Sequence, residues 1–539
     1  MAQITLTNNP TSSALHQSLV STHEYELNQS DSVDFCYNLI RDISSNLSNS
    51  EIVDIFASLQ ERESKLPFSF NDLEGTDIQG LKWPSDKVKL KFELDRMRIG
   101  NLIGEYSKGW FCNIPNSRER VRKSLNLSAY GTQTNFFEFS KFYSRLKLDI
   151  IHFQLRNLVA CGSDITRGIY YPSIYFRDSQ LQVSPTSIFR ERELDPDMYH
   201  QFFKVNRLSP DTNSITTIRE PMKLDCLLDS HSLSQNYCSS KVSTLTCTDS
   251  LLICGTFEGG YILIDTEAEP GLKNVIGEHT VASKVDGITN HVVIKEEQNE
   301  LCVASNDKFI RLVDLNRSSS YKAKVKETYE LPFSVNCLAV NKANPYELLF
   351  TGDDVNSYII DTRQNNDSKT ISNGMTLKGH EDYGFSCDWS PTNENLLVTG
   401  NQDGSIKLWD KRKLGENSLY TWDSSLGRSC LGNDGIDSIR GGPVRNTKFS
   451  HNGDYISWAE SLDHVGIIPT QELLENNSGR LNRVQSIDFV GKCIGINFAP
   501  IDNECGEELI IGVNDKPLGG ILSYRLGSKS KSLDFDFHF

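Results

Sequence analysis

The residues whose types and spacing could do chemistry are His380, Thr399, Asp403 and Trp409. An imidazole within reach of a carboxylate can serve as a general base, and a nearby hydroxyl can be its nucleophile. The spacing argues for a different use. Thr399 lies at the end of the apolar run Leu397-Val398-Thr399-Gly400, Asp403-Gly404 forms a tight turn, and Trp409 closes the next run, Ile406 to Asp410. In a strand, turn, strand unit Thr399 reaches the Trp409 indole, and a buried His380 bridges Asp403 in the turn and Thr399 in the strand. Such a network consumes its polar atoms in holding strands together.

Other enzyme signals are missing. The chain has no Gly-rich phosphate loop, no HExxH, no GxSxG and no paired Cys/His spacing of a metal site. Its 13 cysteines are scattered singly without a CxxC pair, and Cys254, Cys302, Cys337 and Cys387 fall in apolar runs, which reads as reduced core thiols. The expectation is a non-enzyme with no cofactor and no metal.

The elements that must position these residues recur. Asp265, Asp314, Asp361 and Asp410 each close a β-rich run, 49, 47 and 49 residues apart. Before each lies another apolar run with a tight turn, at 251–255, 301–305, 348–352 and 396–400. A fixed period of about 40–50 residues is the signature of a propeller. Two degenerate units follow, with strands expected near 444–449, 455–459 and 465–468, then near 494–498, 509–513 and 521–524. A further unit upstream is suggested by apolar runs at 150–153, 158–162, 169–171 and 174–176. The total is seven, a common propeller number. Residues 136–526 are more than seven four-stranded units need, and the surplus falls in the polar stretches 180–225, 364–373, 414–442 and 471–483, which read as loops.

Upstream, residues 1–30 read as a disordered N-terminus, 31–66 as a helical pair and 67–135 as an irregular lead-in. The pair rests on Phe35, Leu39 and Ile43 at helical spacing and on Ser48 with Glu51, a capping box ahead of Ile52, Ile55, Phe56 and Leu59.

The block at 378–412 resembles a WD repeat at nearly every diagnostic position: Lys378-Gly379-His380, Cys387-Asp388-Trp389-Ser390-Pro391, Leu397 to Gly400, and Asp403 to Asp410. The resemblance implies an all-β fold, a WD-repeat β-propeller of seven blades, with the short helical segment in front. It also implies that His380, Thr399, Asp403 and Trp409 form a structural tetrad.

A partner is then sought elsewhere. The turns between the second and third strands of successive units carry Glu258, Asp307, Asp353-Asp354, Asp403, Glu460 and Asp515. In a propeller these share one face, and a ring of acids there would receive a basic peptide or a free α-amino group. The same turns also favour Asp for backbone reasons. The unit at 441–466 departs most from its neighbours, which makes Arg445, Trp458, Glu460 and His464 candidate specificity residues. In the ending at 527–539, Leu533, Phe535, Phe537 and Phe539 share one face of a strand. Burying each Phe contributes roughly 1.5–3 kcal/mol, whereas ordering each residue costs roughly 1–2 kcal/mol, so this tail orders only against a preformed surface, either a partner's strand-accepting groove or its own propeller.

The propeller with its Gly441-Gly442-Pro443-Val444-Arg445-Asn446 unit, its Asp463-His464-Val465-Gly466 segment and its alternating Phe ending resembles the fungal WD-repeat substrate receptor of the glucose-induced-degradation (GID/CTLH) E3 ubiquitin ligase. That resemblance implies a propeller that captures a substrate's N-terminal degron and a tail, Leu533 to Phe539, that docks to the ligase scaffold. Three other readings stay open. Trp409-Asp410-Lys411-Arg412 and Asp361-Thr362-Arg363 look like the WDxR element of a cullin-ligase receptor, and a general assembly scaffold or a hydrolase with a loop-borne site fits the remaining residues.

A formal charge of −16 disfavours general attraction to nucleic acid or to an anionic membrane, and favours basic protein partners. The first thirty residues lack the order of a signal peptide and no stretch stays apolar for about 18 residues. A cytoplasmic protein, also present in the nucleus, is expected.

Overall fold

The computed structural model describes residues 113–125, 132–144, 146–152, 154–163, 167–178, 199–210, 222–234, 240–268, 274–282, 287–316, 323–363, 374–413, 418–426, 442–460, 464–475, 483–489, 491–501, 506–514 and 520–527. The expected helical pair at 31–66, the turn residue Asp515 and the tail residues Leu533, Phe535, Phe537 and Phe539 lie outside the described residues.

The described chain opens with helix α1 (Ser117–Ser124), strand β1 (Thr132–Gln133) and strand β2 (Phe137–Ser144). Seven antiparallel sheets follow. Blade 1 holds β3 (Ala160–Cys161), β4 (Ile169–Asp178), β5 (Tyr199–Pro210) and β6 (Met222–Asp229). Blade 2 holds β7 (Val242–Cys247), β8 (Leu251–Thr256), β9 (Gly260–Asp265) and β10 (Val275–Thr280). Blade 3 holds β11 (Thr289–Lys295), β12 (Glu300–Ser305), β13 (Phe309–Asp314) and β14 (Lys324–Glu330). Blade 4 holds β15 (Val335–Val340), β16 (Glu347–Gly352), β17 (Ser357–Asp361) and β18 (Met375–Leu377). Blade 5 holds β19 (Gly384–Trp389), β20 (Leu396–Asn401), β21 (Ser405–Asp410) and β22 (Tyr420–Asp423). Blade 6 holds β23 (Val444–Phe449), β24 (Tyr455–Glu460), β25 (His464–Pro469) and, after helix α2 (Thr470–Glu475), β26 (Arg483–Asp488). Blade 7 holds β27 (Lys492–Pro500), β28 (Glu507–Asn514) and β29 (Gly520–Leu526), with β2 as its outer strand.

Alternation explains why the blades stack. In β12, Leu301 and Val303 pack towards Ile253 and Tyr261 of blade 2, while Cys302 and Ala304 pack towards Val335 and Leu348 of blade 4. Successive side chains of a strand point to opposite faces, so a strand buried on both sides reads as one continuous apolar run. Outer strands are only half covered. In β14 no residue is buried.

This difference accounts for two corrections. The stretch 180–225, expected to be a loop, contains β5 and the start of β6. Only alternate positions of β5 face the core, Phe203 and Val205 among them, so the run looked polar. The expected loop at 414–442 likewise contains outer strand β22. Blade 1 therefore spans Ala160 to Asp229, and the runs expected as separate strands at 169–171 and 174–176 are one strand, β4. The lead-in, expected to be irregular, contains α1 and β1.

The ring closes with residues from upstream. β2 pairs antiparallel with β29, Phe137 opposite Leu526 and Tyr143 opposite Ile521. β1 adds in parallel to β26, giving blade 6 a fifth strand. Between the two, Gln485 of β26 accepts from the backbone N–H of Phe136 and Phe137 (2.9 and 2.8 Å) and donates to the Phe137 carbonyl (2.7 Å). One buried side chain thereby clamps the crossing from blade 6 to blade 7.

Candidate functional site

Within blade 5 the polar network forms a relay. The Trp409 indole N–H donates to Thr399 Oγ1 at 2.8 Å, and Thr399 lies 2.8 Å from His380 Nε2. On the other side of the ring, His380 Nδ1 lies 3.0 Å from Ser405 Oγ and 3.4 Å from Asp403 Oδ2. Ser405 in turn donates to Asp403 Oδ1 at 2.6 Å. A neutral imidazole carrying its proton on Nδ1 gives every donor an acceptor. Burial, which lowers the His380 pKa, favours that neutral form. Burial also opposes charge on Asp403, but His380, Ser405 and the Glu381 N–H outweigh it and hold its carboxyl below the usual range. The spacing argument brought His380, Thr399, Asp403 and Trp409 together but missed Ser405, the hydroxyl between imidazole and carboxylate.

Helix α1 sits over this end of blade 5. Ser117 Oγ donates to Asp382 Oδ2 at 2.6 Å, and Arg120 pairs with Glu381 at 2.6 Å. Arg118 is buried, donating to the Asp403 carbonyl (3.1 Å) and pairing with Asp423 (2.6 Å). The chain thus covers its own most typical repeat.

The six turn acids among the described residues have separate environments. Asp307 is buried and bound by Arg311 through both carboxylate oxygens (3.0 and 2.5 Å). Asp403 belongs to the relay. Asp354 accepts from the Asn356 N–H at 2.7 Å within its own turn. Glu460 is fully buried. Glu258 is exposed. Asp353 is half-buried, its pKa raised by that burial, with Oδ1 accepting from Asn336 Nδ2 at 3.0 Å.

The divergent unit turns inward. Trp458 is fully buried, donates to the Ser424 carbonyl at 2.8 Å and meets Trp422 edge-on at 5.9 Å. Gly466 is required opposite it, since a Cβ there would lie 2.1 Å from the indole. His464 Nδ1 lies 3.1 Å from Ser486 Oγ, and its Nε2 lies 4.0 Å from Glu460 Oε1. Hydroxyl, imidazole and carboxylate are ordered as in a hydrolase, yet all three are at 0% exposure, so no substrate reaches them.

Arg445 belongs to a feature that sequence reasoning missed. In β7, β11, β15, β19, β23 and β27 the register slips by one residue, leaving Ser243, Asn290, Asn336, Phe385, Arg445 and Ile494 as bulges on the innermost strands. A bulge re-aims its side chain, and here each of several bulges reaches the next blade. Ser243 donates to the Thr289 carbonyl, Asn290 to Val335 (2.9 Å) and Asn336 to Gly384 (3.0 Å), and the Phe385 ring receives the Arg445 guanidinium at 4.5 Å. The recurrence of Ser, Asn, Asn and Arg inside otherwise apolar inner runs is the signal that could have revealed this ring. Around it the channel keeps a cavity of about 10 Å³, partly open to solvent.

At the opposite end of the blades, Arg363 and Arg412 are exposed and fold back onto Asp361 and Asp410, each at 2.6 Å. They occupy matching places in blades 4 and 5.

With this geometry in view, the chain folds as a seven-bladed β-propeller that carries a WD repeat. Residues 372–410 match the model of the WD domain, G-beta repeat. Among curated proteins, it is 32% identical to the histone acetyltransferase type B subunit 2 of Debaryomyces hansenii over 117 residues, 21% of this chain and 27% of that one. It is 30% identical to the ribosome biogenesis protein YTM1 of the same organism, over 15% of this chain and 17% of that one, and 28% identical to the DNA damage-binding protein CMR1 of Vanderwaltozyma polyspora, over 30% and 32%. The chain therefore spans less than a third of the length of each of these relatives. A chain of the mitotic checkpoint complex and the WD40 domain of Toxoplasma gondii coronin each superpose with a TM-score of 0.48 over 72% of this chain, covering 93% and 85% of those chains at 14% and 12% identity. The fold is generally a non-catalytic interaction scaffold, suited to binding proteins.

Proposed function

We propose that this propeller is a substrate receptor of a GID-type ubiquitin ligase, taking an N-terminal degron at the channel mouth and docking to the ligase scaffold through Leu533, Phe535, Phe537 and Phe539. The observation that carries the substrate half is Asp353, a half-buried carboxylate hydrogen-bonded to the channel residue Asn336. A carboxylate short of water is stabilised by an incoming ammonium group, and Glu258, whose carboxyl is pushed up to about 7 by partial burial although the residue is exposed, gains in the same way. The resemblance of the divergent unit and of the tail carries the other half. Such a receptor works in the cytoplasm and the nucleus.

The second reading, a cullin-ligase receptor, is favoured by the matched Arg363 and Arg412. One affinity purification separates the readings. Under the first, deleting 533–539 removes the ligase scaffold while Arg363→Ala with Arg412→Ala changes nothing. The reverse pattern supports the cullin reading, and an unchanged partner set in both variants leaves a general scaffold. For the substrate, Asp353→Asn with Glu258→Gln weakens binding of peptides with a free amino terminus about tenfold, as loss of one charged hydrogen bond would. Equal affinity would sink the degron site.

A further inference from the structure

The described residues lining the channel cavity include Arg156, Arg445, Lys448 and His291 and no carboxylate. This is a cationic interior in a chain of net charge −16. Arg445 is 7% exposed, its Nε and Nη1 are buried without a hydrogen-bond partner, and its guanidinium lies over the face of Phe385. A guanidinium remains charged in proteins and its buried N–H groups are costly to leave unmet. Asp382 is a carboxylate whose charge acts on Arg445, but it already accepts from Ser117 Oγ (2.6 Å), the Tyr383 N–H (2.8 Å) and the Ile114 N–H (3.3 Å).

We propose that the central channel is a binding site for a small monovalent anion of about the size of chloride, held by the unmet N–H groups of Arg445 in the field of Arg156 and Lys448. Size decides the class. A cavity of about 10 Å³ admits one water-sized body, so tetrahedral oxyanions such as phosphate and sulfate are too large. Burial and the neighbouring Arg156 push the Arg445 pKa down, the direction expected where a cation awaits a counter-charge.

The test uses the full chain in gluconate buffer, titrated with chloride at constant ionic strength. Chlorine NMR line width and melting temperature are both read. Wild type broadens the chloride resonance saturably, bromide competes, sulfate does not, and melting temperature rises with chloride. Arg445→Met, which keeps the apolar stem, weakens chloride binding about tenfold or more and abolishes the chloride-dependent rise. Arg412→Ala, at the exposed end of blade 5, leaves both unchanged. Absence of saturable broadening in wild type, or competition by sulfate as strong as by bromide, overturns the proposal without any variant. Wild-type broadening in a folded Arg445→Met overturns it as well.

Discussion

His152 accepts two backbone N–H groups at Nδ1, from Gln154 (3.2 Å) and Leu155 (3.1 Å), a geometry that a protonated ring could not keep. Burial, then Arg156, then Arg445 lower its pKa to about 4. The unfolded chain, with an ordinary histidine value near 6.5, binds the proton more readily than the folded chain between these limits. Stability is thus complete above about pH 6.5 and falls as pH drops towards 4. Denaturant unfolding from pH 7 to 4 should show that decline, and His152→Gln should flatten it. His380 and His451, lowered in the same direction, contribute to what slope remains, and Glu258, pushed up to about 7 by burial, opposes it; an unaltered slope in His152→Gln would refute the assignment. At this scale the tetrad was legible because its members sit at fixed places in a strand, turn, strand unit that recurs about every 48 residues. Trp458, Glu460 and His464 were legible only as departures from that repeat. A departure looks the same in sequence whether it faces a ligand or, as their surroundings show, a differently packed interior.

Helix α1 was not legible. Its eight residues, Ser-Arg-Glu-Arg-Val-Arg-Lys-Ser, carry no apolar stripe, and Val121 is the single buried hydrophobic residue. What holds it is charge, chiefly Arg118 against Asp423, with side chains 8% and 5% exposed. Removing one partner of a buried pair leaves the other uncompensated. Arg118→Met should therefore cost about 3–5 kcal/mol. The loss should be local as well as global: hydrogen exchange should speed up in 114–125 and in the turn at 401–404 before it does in β12. Uniform exchange throughout would show that α1 is not a separately docked element. The outer strands and β5 escaped notice for a related reason, because a strand with one wet face loses the continuous apolar run by which its inner neighbours are found.

At the scale of the whole ring, the count of seven followed from periodicity, but the closure did not, since no local pattern tells β2 that its partner lies almost 400 residues away at β29. Phe137 is fully buried at that seam, beside Phe498 and Tyr455. Phe137→Ala should cost about 3–5 kcal/mol. Because each blade is walled by two others, melting should remain one calorimetric transition at lower temperature rather than split into a stable remainder and a frayed seventh blade; two resolved transitions would contradict this.

The seam also bears on how the chain is made. On a ribosome β2 emerges before any complete blade, yet its edge must wait for β29, so for most of synthesis one sheet edge is present without its mate. Contacts of such long separation form late and expose unpaired edges meanwhile. Gln485, which grips Phe136 and Phe137 from blade 6, can hold β2 in place before blade 7 is made. The nascent chain then has the closing strand position marked out ahead of time, and β27 to β29 fold into a gap whose far wall is already standing.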